Sequence, residues 1–182
     1  MSTVTIRRVE SEDAAAWAGL RREALDAHPL VFGSAPPADP ADLVSSALAR
    51  MAAEDSAILG AWADEALVGI VGVRRDLGPK ERHKAYLWGM YVVAQYRRQG
   101  TGARLVPAAL DEARAWAGVQ QVHLSVSSVA SDARRIYERQ GFRVWGVEPR
   151  ALCWDGRYAD ELHMMLDLRD KVDARQTPVG LG

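Results

Sequence analysis

The hydrophobic pattern along the chain changes repeatedly between strand-like alternation and helical spacing. In TVTIRRVE, Val4 and Ile6 alternate with polar residues, as in a strand with one buried face. Trp17 and Leu20 then recur at helical spacing behind Ser11, a residue type preferred at the N-cap. The N-terminal part is therefore predicted to hold a strand in TVTIRRVE, a helix from Ser11 to about Ala27, the loop HPLVFGSAPPADP, and a short helix from Ala41 to Ala52.

The rest of the chain is predicted to form mainly strands. SAILGAWADEALVGIVGVRRD is predicted to be a hairpin, because two apolar runs meet at Asp64 and Glu65. The next strand runs from Ala85 to Val93, and Gly89 at its centre predicts a bulge or a close backbone approach. The remaining predicted elements are a helix ending near Trp116, a strand in QVHLSVSS, a helix in SDARRIYERQG with Ser131 as N-cap, and two strands in FRVWGVEPRALCW and YADELHMMLDL around the turn Asp155-Gly156.

This order of elements, β-α-α-β-β-β-α-β-α-β-β, predicts one mixed α/β domain over residues 1–170. The length of 182 residues agrees with a single domain. Residues 171–182 are polar and contain proline and glycine, so they are predicted to be a flexible tail.

Composition and charge narrow the function classes. Hydrophobic residues make up 48% and charged residues 26%, as in an ordinary globular domain. The net charge of −1 disfavours nucleic acid as a partner, because such binders carry a basic excess. No signal-peptide pattern and no apolar run near the ~20 residues of a membrane span is present, so we expect a cytoplasmic protein without a membrane partner. Cys153 has no cysteine or histidine at ligand spacing, which predicts no metal site and a buried strand cysteine.

Two arginines and a Gly-Thr-Gly run stand between the fourth predicted strand and the next helix, in the stretch YRRQGTGARL. A helix N-terminus offers unpaired N–H groups and about half a positive charge, and glycine lets an anion approach them closely. The stretch lacks the lysine of a Walker loop, and Leu105 stands at the third glycine position of a dinucleotide fingerprint. By itself the GxG pattern leaves an anion site and a plain strand–helix turn as alternatives.

Together, MYVVAQYRRQGTGARL and ARRIYERQGF make the chain resemble the GNAT family, the Gcn5-related N-acetyltransferases. The resemblance spans nearly the whole chain, from IRRVE to ELHMMLDL. It implies a mixed, largely antiparallel central sheet of about seven strands flanked by about four helices, splayed between the fourth and fifth strands. It also implies a homodimer, often formed through the last two strands.

The resemblance implies acetyl-CoA as co-substrate. In this family the glycine loop holds the CoA pyrophosphate through backbone N–H groups, and the fourth strand pairs with the pantetheine arm as an added strand would. By motif match, the implied cofactor-binding residues are Met90, Tyr91 and Val92 on the strand, and Arg97, Arg98, Gln99, Gly100, Thr101, Gly102 and Ala103 in the loop. The chain departs from the family pattern at Ala130, where asparagine is frequent, and at Ala94, where proline is frequent.

Acyl transfer from a thioester to an amine needs a proton acceptor for the amine, a donor for the carbonyl oxygen, and a proton for the leaving thiolate. The resemblance assigns the thiolate proton to Tyr137 in RRIYERQGF. From its position alone, Tyr137 would be a core aromatic of an amphipathic helix. The carbonyl donor would be a backbone N–H near Met90 or Tyr91.

The proton acceptor is the least defined group. Some relatives carry glutamate on the fourth strand where this chain has Tyr86, and a phenol with pKa ~10 is a poor base at neutral pH. Glu23 on the first helix is an alternative, and so is a chain of water molecules. Asp160, Glu161 and His83 are further candidates, each of which could instead be an ordinary solvated or turn residue.

The loop HPLVFGSAPPADP corresponds to the region that lines the acceptor side in the family. The candidate substrate-binding residues are Phe32, Gly33 and Ser34 in this loop, Trp88 on the fourth strand, and Tyr158 and Glu161 near the last strand, with Trp154 as an additional wall. The acidic candidates suit a cationic amine, and a small molecule, an amino acid or a peptide remain alternatives.

Two other function classes remain open at this stage. One is an acyl-CoA sensor with weak catalysis, which the tyrosine at position 86 and Ala130 favour. The other is an interaction module that uses the fold alone. The glycine loop argues against the module, because glycine in a helix mouth costs stability unless something approaches it.

Overall fold

The computed structural model describes residues 3–169, so the predicted tail over residues 171–182 lies outside the described residues. Within this range the chain forms β1 (Val4–Arg8), α1 (Ala14–Ala27), α2 (Ala41–Ala52), β2 (Ser56–Ala63), β3 (Ala66–Arg75), β4 (Lys84–Val92), α3 (Thr101–Ala115), β5 (Gln121–Ser127), α4 (Ser131–Arg139), β6 (Arg143–Trp154) and β7 (Arg157–Asp167). Short 3-10 turns, Ser11–Asp13 and Ala94–Tyr96, precede α1 and α3. The predicted order of helices and strands is confirmed.

The predicted N-caps of two helices were wrong. Ser11 lies in a 3-10 turn, and α1 begins only at Ala14. The turn is tight because the Glu10 N–H donates to the Asp13 carboxylate at 3.0 Å, while the Asp13 N–H donates to the Glu10 carbonyl at 2.9 Å. Ser131 is the first residue of α4, and Ala130 holds the N-cap position without a side-chain hydrogen bond.

The seven strands form one sheet in the order β1-β2-β3-β4-β5-β7-β6. Each neighbouring pair is antiparallel except β4 and β5, which run parallel. A parallel neighbour requires a crossover, and α3 provides it between β4 and β5. The mixed, largely antiparallel sheet of seven strands with four helices is thus as predicted.

Helices cover both faces of the sheet. On one face, α3 packs an apolar stripe against the central strands, with Leu105, Val106, Ala109 and Leu110 almost fully buried. On the other face, called the α1 face below, α1 and α2 pack through a second cluster that includes Trp17, Leu20, Leu43 and Ile70 of the sheet. Burial of such side chains contributes roughly 1.5–3 kcal/mol each, so the two clusters fix the helices on the sheet.

The sheet opens between β4 and β5. Their pairing is confined to Lys84–Tyr86 on β4 and Gln121–His123 on β5, so the remainder of each strand diverges. Gly89 lies in the divergent part of β4, with a φ of +65° that favours glycine. Two residues of β4 stand there opposite one residue of β3, which is the predicted bulge. The result is a cleft that ends at the N-terminus of α3.

Candidate active site

The glycine loop presents a row of free backbone donors. Arg98 and Gly100 have φ values of +59° and +82°, which turn the chain sharply into α3 at Thr101. Within residues 3–169, the N–H groups from Arg98 to Ala103 donate to no protein acceptor, whereas the Arg104 N–H already bonds to the Gly100 carbonyl at 3.0 Å. Together with the dipole of α3, these donors are suited to an anion, and the residues present fit the pyrophosphate of CoA.

Arg97 is engaged at the end of β4. Its Nε donates to the Val92 carbonyl at 2.7 Å, and its Nη2 lies 3.1 Å from His28 Nε2. Because arginine can only donate, His28 Nε2 is the acceptor, and burial followed by the Arg97 charge lowers the pKa of His28. The guanidinium also lies over the Tyr91 ring at 5.2 Å. Arg97 therefore orders this end of the cleft, and its direct contact with the cofactor stays a prediction.

Three predicted pieces of the site meet at Gly102. A Cβ placed on Gly102 would lie 3.0 Å from Ile136 Cδ1 of α4 and 3.8 Å from Met90 Sδ of β4. The loop, the divergent strand and α4 are therefore in contact, although they are far apart in sequence. The structure thereby places Tyr137, the residue after Ile136, on the helix that borders the loop.

Tyr137 is buried on α4, with 6% of its surface exposed. Its ring packs edge-on against Phe142 at 5.9 Å between centroids. Burial raises the pKa of the phenol well above its ordinary value, so the hydroxyl is protonated at neutral pH. A group in this state can donate a proton or a hydrogen bond, and it cannot act as a base.

Glu23 accepts a hydrogen bond from the Tyr91 hydroxyl at 2.8 Å. Burial, followed by this contact with Glu23, raises the pKa of Tyr91, so the phenol keeps its proton and donates a hydrogen bond to the carboxylate. The His28 ring lies 5.7 Å from the Tyr91 ring. From the sequence, only the backbone of Tyr91 was given a role. The contact of its side chain with Glu23 was not predicted, because the two residues are 68 positions apart.

Tyr86 lies at the paired end of β4, before the bulge. Its ring contacts His123 at 5.5 Å, and the Arg74 guanidinium lies over it at 5.1 Å. Burial lowers the pKa of His123, so that imidazole is neutral at pH 7. Tyr86 and the Tyr91–Glu23 pair thus lie on opposite sides of Gly89 along the strand, and the two predicted proton acceptors belong to different clusters.

The predicted acceptor loop lines a cavity of about 310 Å³. Phe32, Gly33 and Ser34 form one wall, and residues 151–154 of β6, including Trp154, form the other. Cys153 is exposed there, so the prediction of a buried cysteine was wrong, because β6 is the edge strand of the sheet. Tyr158 is exposed beneath Arg150, 3.9 Å from the guanidinium, and does not line this cavity.

The other two substrate-binding candidates lie on the α1 face. Trp88 packs edge-on against Trp17 at 6.3 Å and lies beneath the Arg50 guanidinium at 4.4 Å. Glu161 stands between Ser127 and Glu148 in the strand register, and the Ser127 hydroxyl donates to the carbonyl of Leu30 in the acceptor loop. Burial raises the pKa of Glu161, and Glu148 adds to the rise.

Comparison with known proteins agrees with this geometry. Residues 17–142 match the profile of the Acetyltransferase (GNAT) family. No curated protein matches the chain at a significant level. Among residues 3–169, no helix has the length and apolar character needed to cross a membrane.

Several solved structures share the fold. An N-acetyltransferase from Staphylococcus aureus Mu50 superposes with a TM-score of 0.81 and 16% identity, over 91% of this chain and 99% of its own. The protein yncA from Salmonella typhimurium, described as an acetyltransferase and solved with its cofactor acetyl-CoA, has a TM-score of 0.80 and 20% identity over 93% and 96% of the two chains. A ribosomal-protein-alanine N-acetyltransferase from Brucella melitensis has a TM-score of 0.79 and 21% identity over 90% and 99%.

The split sheet and the donor-rich loop define an acetyltransferase fold. The chain belongs to the GNAT family of acetyltransferases.

Proposed function

We propose that this protein is an acetyl-CoA-dependent N-acetyltransferase that transfers the acetyl group directly to a primary amine in a ternary complex. The observation that carries the proposal is the cleft between β4 and β5, which ends at the unpaired N–H groups of residues 98–103. The loop would hold the pyrophosphate, and the exposed backbone edge of Met90 to Val92 would pair with the pantetheine arm. The thioester would then lie in the cleft beside the bulge of β4.

Two side chains would move protons in the reaction. Tyr137, which keeps its proton at neutral pH, would supply it to the leaving thiolate. Glu23 would accept the proton of the amine through the Tyr91 hydroxyl, which already donates to it at 2.8 Å. The backbone N–H of Met90 or Tyr91 would donate to the carbonyl oxygen under attack.

The acceptor is proposed to be a small molecule or peptide amine that enters from the side of Phe32, Gly33 and Ser34. Trp88 and Glu161 would complete the substrate site from the α1 face, whereas a substrate contact of Tyr158, which lies outside the cavity, stays a prediction. A cytoplasmic location and a homodimer stay predictions. The exposed Trp145 and Val147 on the edge strand β6 support the dimer, because exposed apolar groups on an edge strand favour pairing with another chain.

Titration calorimetry with acetyl-CoA, followed by a free-thiol release assay with a panel of amines, tests the function. We expect saturable binding and thiol release with at least one class of amine. Binding without release on any amine would favour the acyl-CoA sensor instead. If acetyl-CoA does not bind at all, both the enzyme and the sensor are excluded.

The Glu23→Gln variant tests the proton acceptor. Glutamine can still accept the hydrogen bond from Tyr91, but it cannot take a proton, so we expect kcat to fall by about 10²-fold or more, the range of general-base catalysis. The affinity for acetyl-CoA should stay the same. Asp26→Asn is the matched control on the same helix, because Asp26 is exposed and pairs with Arg22 at 2.8 Å. Equal kcat values for Glu23→Gln and Asp26→Asn would assign the base elsewhere.

A further inference from the structure

Arg21 on α1 carries a charge into the interior of the protein. The residue is 8% exposed, and its Nη1 is buried without a hydrogen-bond partner within residues 3–169. The charge that acts on it is another cation: burial and then Arg50 lower the pKa of Arg21 to about 10. The guanidinium is therefore still charged at neutral pH, and no carboxylate of the described residues pairs with it.

The guanidinium lies directly against the bulge of β4. A Cβ placed on Gly89 would be 3.3 Å from Arg21 Nη1 and 3.7 Å from its Cζ. Gly89 immediately precedes Met90, whose N–H is a proposed donor to the reacting carbonyl, and neighbouring Cα atoms are about 3.8 Å apart. The buried cation thus lies beside the stretch of β4 at which the proposed reaction would take place.

The protein alone does not compensate this charge. Arg21 lies over the Phe32 ring at 4.8 Å, and a cation–π contact contributes about 0.5–2 kcal/mol. Removing an ion from water costs several kcal/mol, which is more than the ring returns. A carboxylate that accepts paired hydrogen bonds from the guanidinium would supply the difference.

Neighbouring groups also favour an anion. Arg50 lies over the Trp88 ring at 4.4 Å and adds a second positive charge on the same side. Trp88 Nε1 is a second buried donor without a hydrogen-bond partner in the described part of the chain. The two cations and the unpaired indole N–H on the α1 face of β4 therefore attract an anion and repel a further cation.

We propose that Arg21 binds the carboxylate of the acceptor, and that the acceptor is therefore a free α-amino acid. The inference rests on the proposed acetyltransferase function. In an α-amino acid the amine and the carboxylate share one carbon, so a carboxylate at Gly89 brings the amine to the adjacent thioester. A peptide N-terminus has an uncharged amide in that position. Phe32 also lines the cavity beside Leu25 and Leu152, which suits an apolar amino-acid side chain.

The test compares apolar amino acids with their carboxamides as acceptors. The carboxamide has the less basic amine, which by itself favours the carboxamide, so a preference for the acid reports recognition of the carboxylate. For the wild type we expect kcat/KM to be at least about 100-fold higher for the acid, the usual effect of a buried charge pair. Arg21→Met should lose about 100-fold on the acid and little on the carboxamide, with unchanged affinity for acetyl-CoA.

Arg22→Met is the matched control. Arg22 is the next residue of the helix, but it is fully engaged elsewhere, because it pairs with Asp26 at 2.8 Å and donates to the Pro37 carbonyl at 3.1 Å. This variant should keep the preference for the acid. Arg21→Met should be at least as stable as the wild type, because it removes a buried charge without a partner.

A thermal-shift measurement separates this proposal from the acetyltransferase proposal, because it needs no turnover. An apolar amino acid at millimolar concentration should raise the Tm of the wild type, and of Arg22→Met, but not of Arg21→Met. That result supports the carboxylate site even if no thiol is released with any amine. The proposal is overturned if the wild type responds equally to acids and carboxamides, or if Arg21→Met keeps the response of the wild type.

Discussion

The Gly102→Leu variant is expected to bind acetyl-CoA much more weakly than the wild type. Gly102 is the second residue of α3, in the row of free N–H groups, and even a Cβ there would lie 3.0 Å from Ile136 Cδ1. A leucine side chain would either push α4 away or project into the space in front of the donors. Each lost hydrogen bond to a charged group is worth about 1.5–3 kcal/mol, so we expect Kd to rise by at least about 100-fold.

Gly19→Leu is the matched control for this experiment. Gly19 is an exposed residue inside α1, and a Cβ there meets nothing within 4 Å. Leucine has the higher helix propensity, by about 0.8 kcal/mol, so this variant should be slightly more stable and bind acetyl-CoA normally. Gly102→Leu itself should lose about 1–3 kcal/mol of stability by overpacking, so its folding is checked by circular dichroism before calorimetry. A folded Gly102→Leu protein with wild-type affinity would exclude the loop as the pyrophosphate site.

The Tyr137→Phe variant is expected to lower kcat by about 10²-fold or more, the range of general-acid catalysis. The phenylalanine ring keeps the edge-on contact with Phe142, and the Tyr137 hydroxyl makes no hydrogen bond within residues 3–169 that the change would break. Stability and the affinity for acetyl-CoA should therefore be close to those of the wild type. Steady-state thiol release and calorimetry measure the two effects separately.

Tyr137→Ala distinguishes the acid from a packing role. Removing a buried aromatic ring costs about 3–5 kcal/mol, so the alanine variant should lose stability as well as turnover. If Tyr137 only fills the core, the phenylalanine variant should keep full activity, while the alanine variant loses it together with stability. If Tyr137 is the acid, both variants lose turnover, and only the alanine variant loses stability.

The sequence drew attention to carboxylates near the cleft rather than to cations. The sequence indicated that Glu23, Asp160 and Glu161 suit a cationic amine, because all three are acidic and were expected near the acceptor side. In the structure Glu23 is already engaged by the Tyr91 hydroxyl, and the side chain that lies against the bulge is that of Arg21, on which Arg50 acts as a second positive charge. A charged residue within the apolar stripe of α1, at helical spacing from Trp17 and Ala24, was the sequence signal for Arg21.

The sequence by itself determined the features that depend on local residue order. The alternation of apolar residues defined the strands, and the run from Tyr96 to Leu105 defined a donor-rich turn, because glycines and a helix start act over a few residues. Gly89 likewise indicated the bulge, since its φ of +65° is unfavourable for other residues. The motif around Tyr137 supplied the candidate acid in the same way.

Tertiary structure decided the features that depend on residues far apart in the chain. The pairing of Glu23 with Tyr91 joins α1 to β4, and the exposure of Cys153 follows from the place of β6 at the edge of the sheet. Whether Arg21 has a counter-ion depends on every element packed around it, so no local pattern could show it. Electrostatic and packing energies are set by spatial neighbours, and folding alone brings these neighbours together.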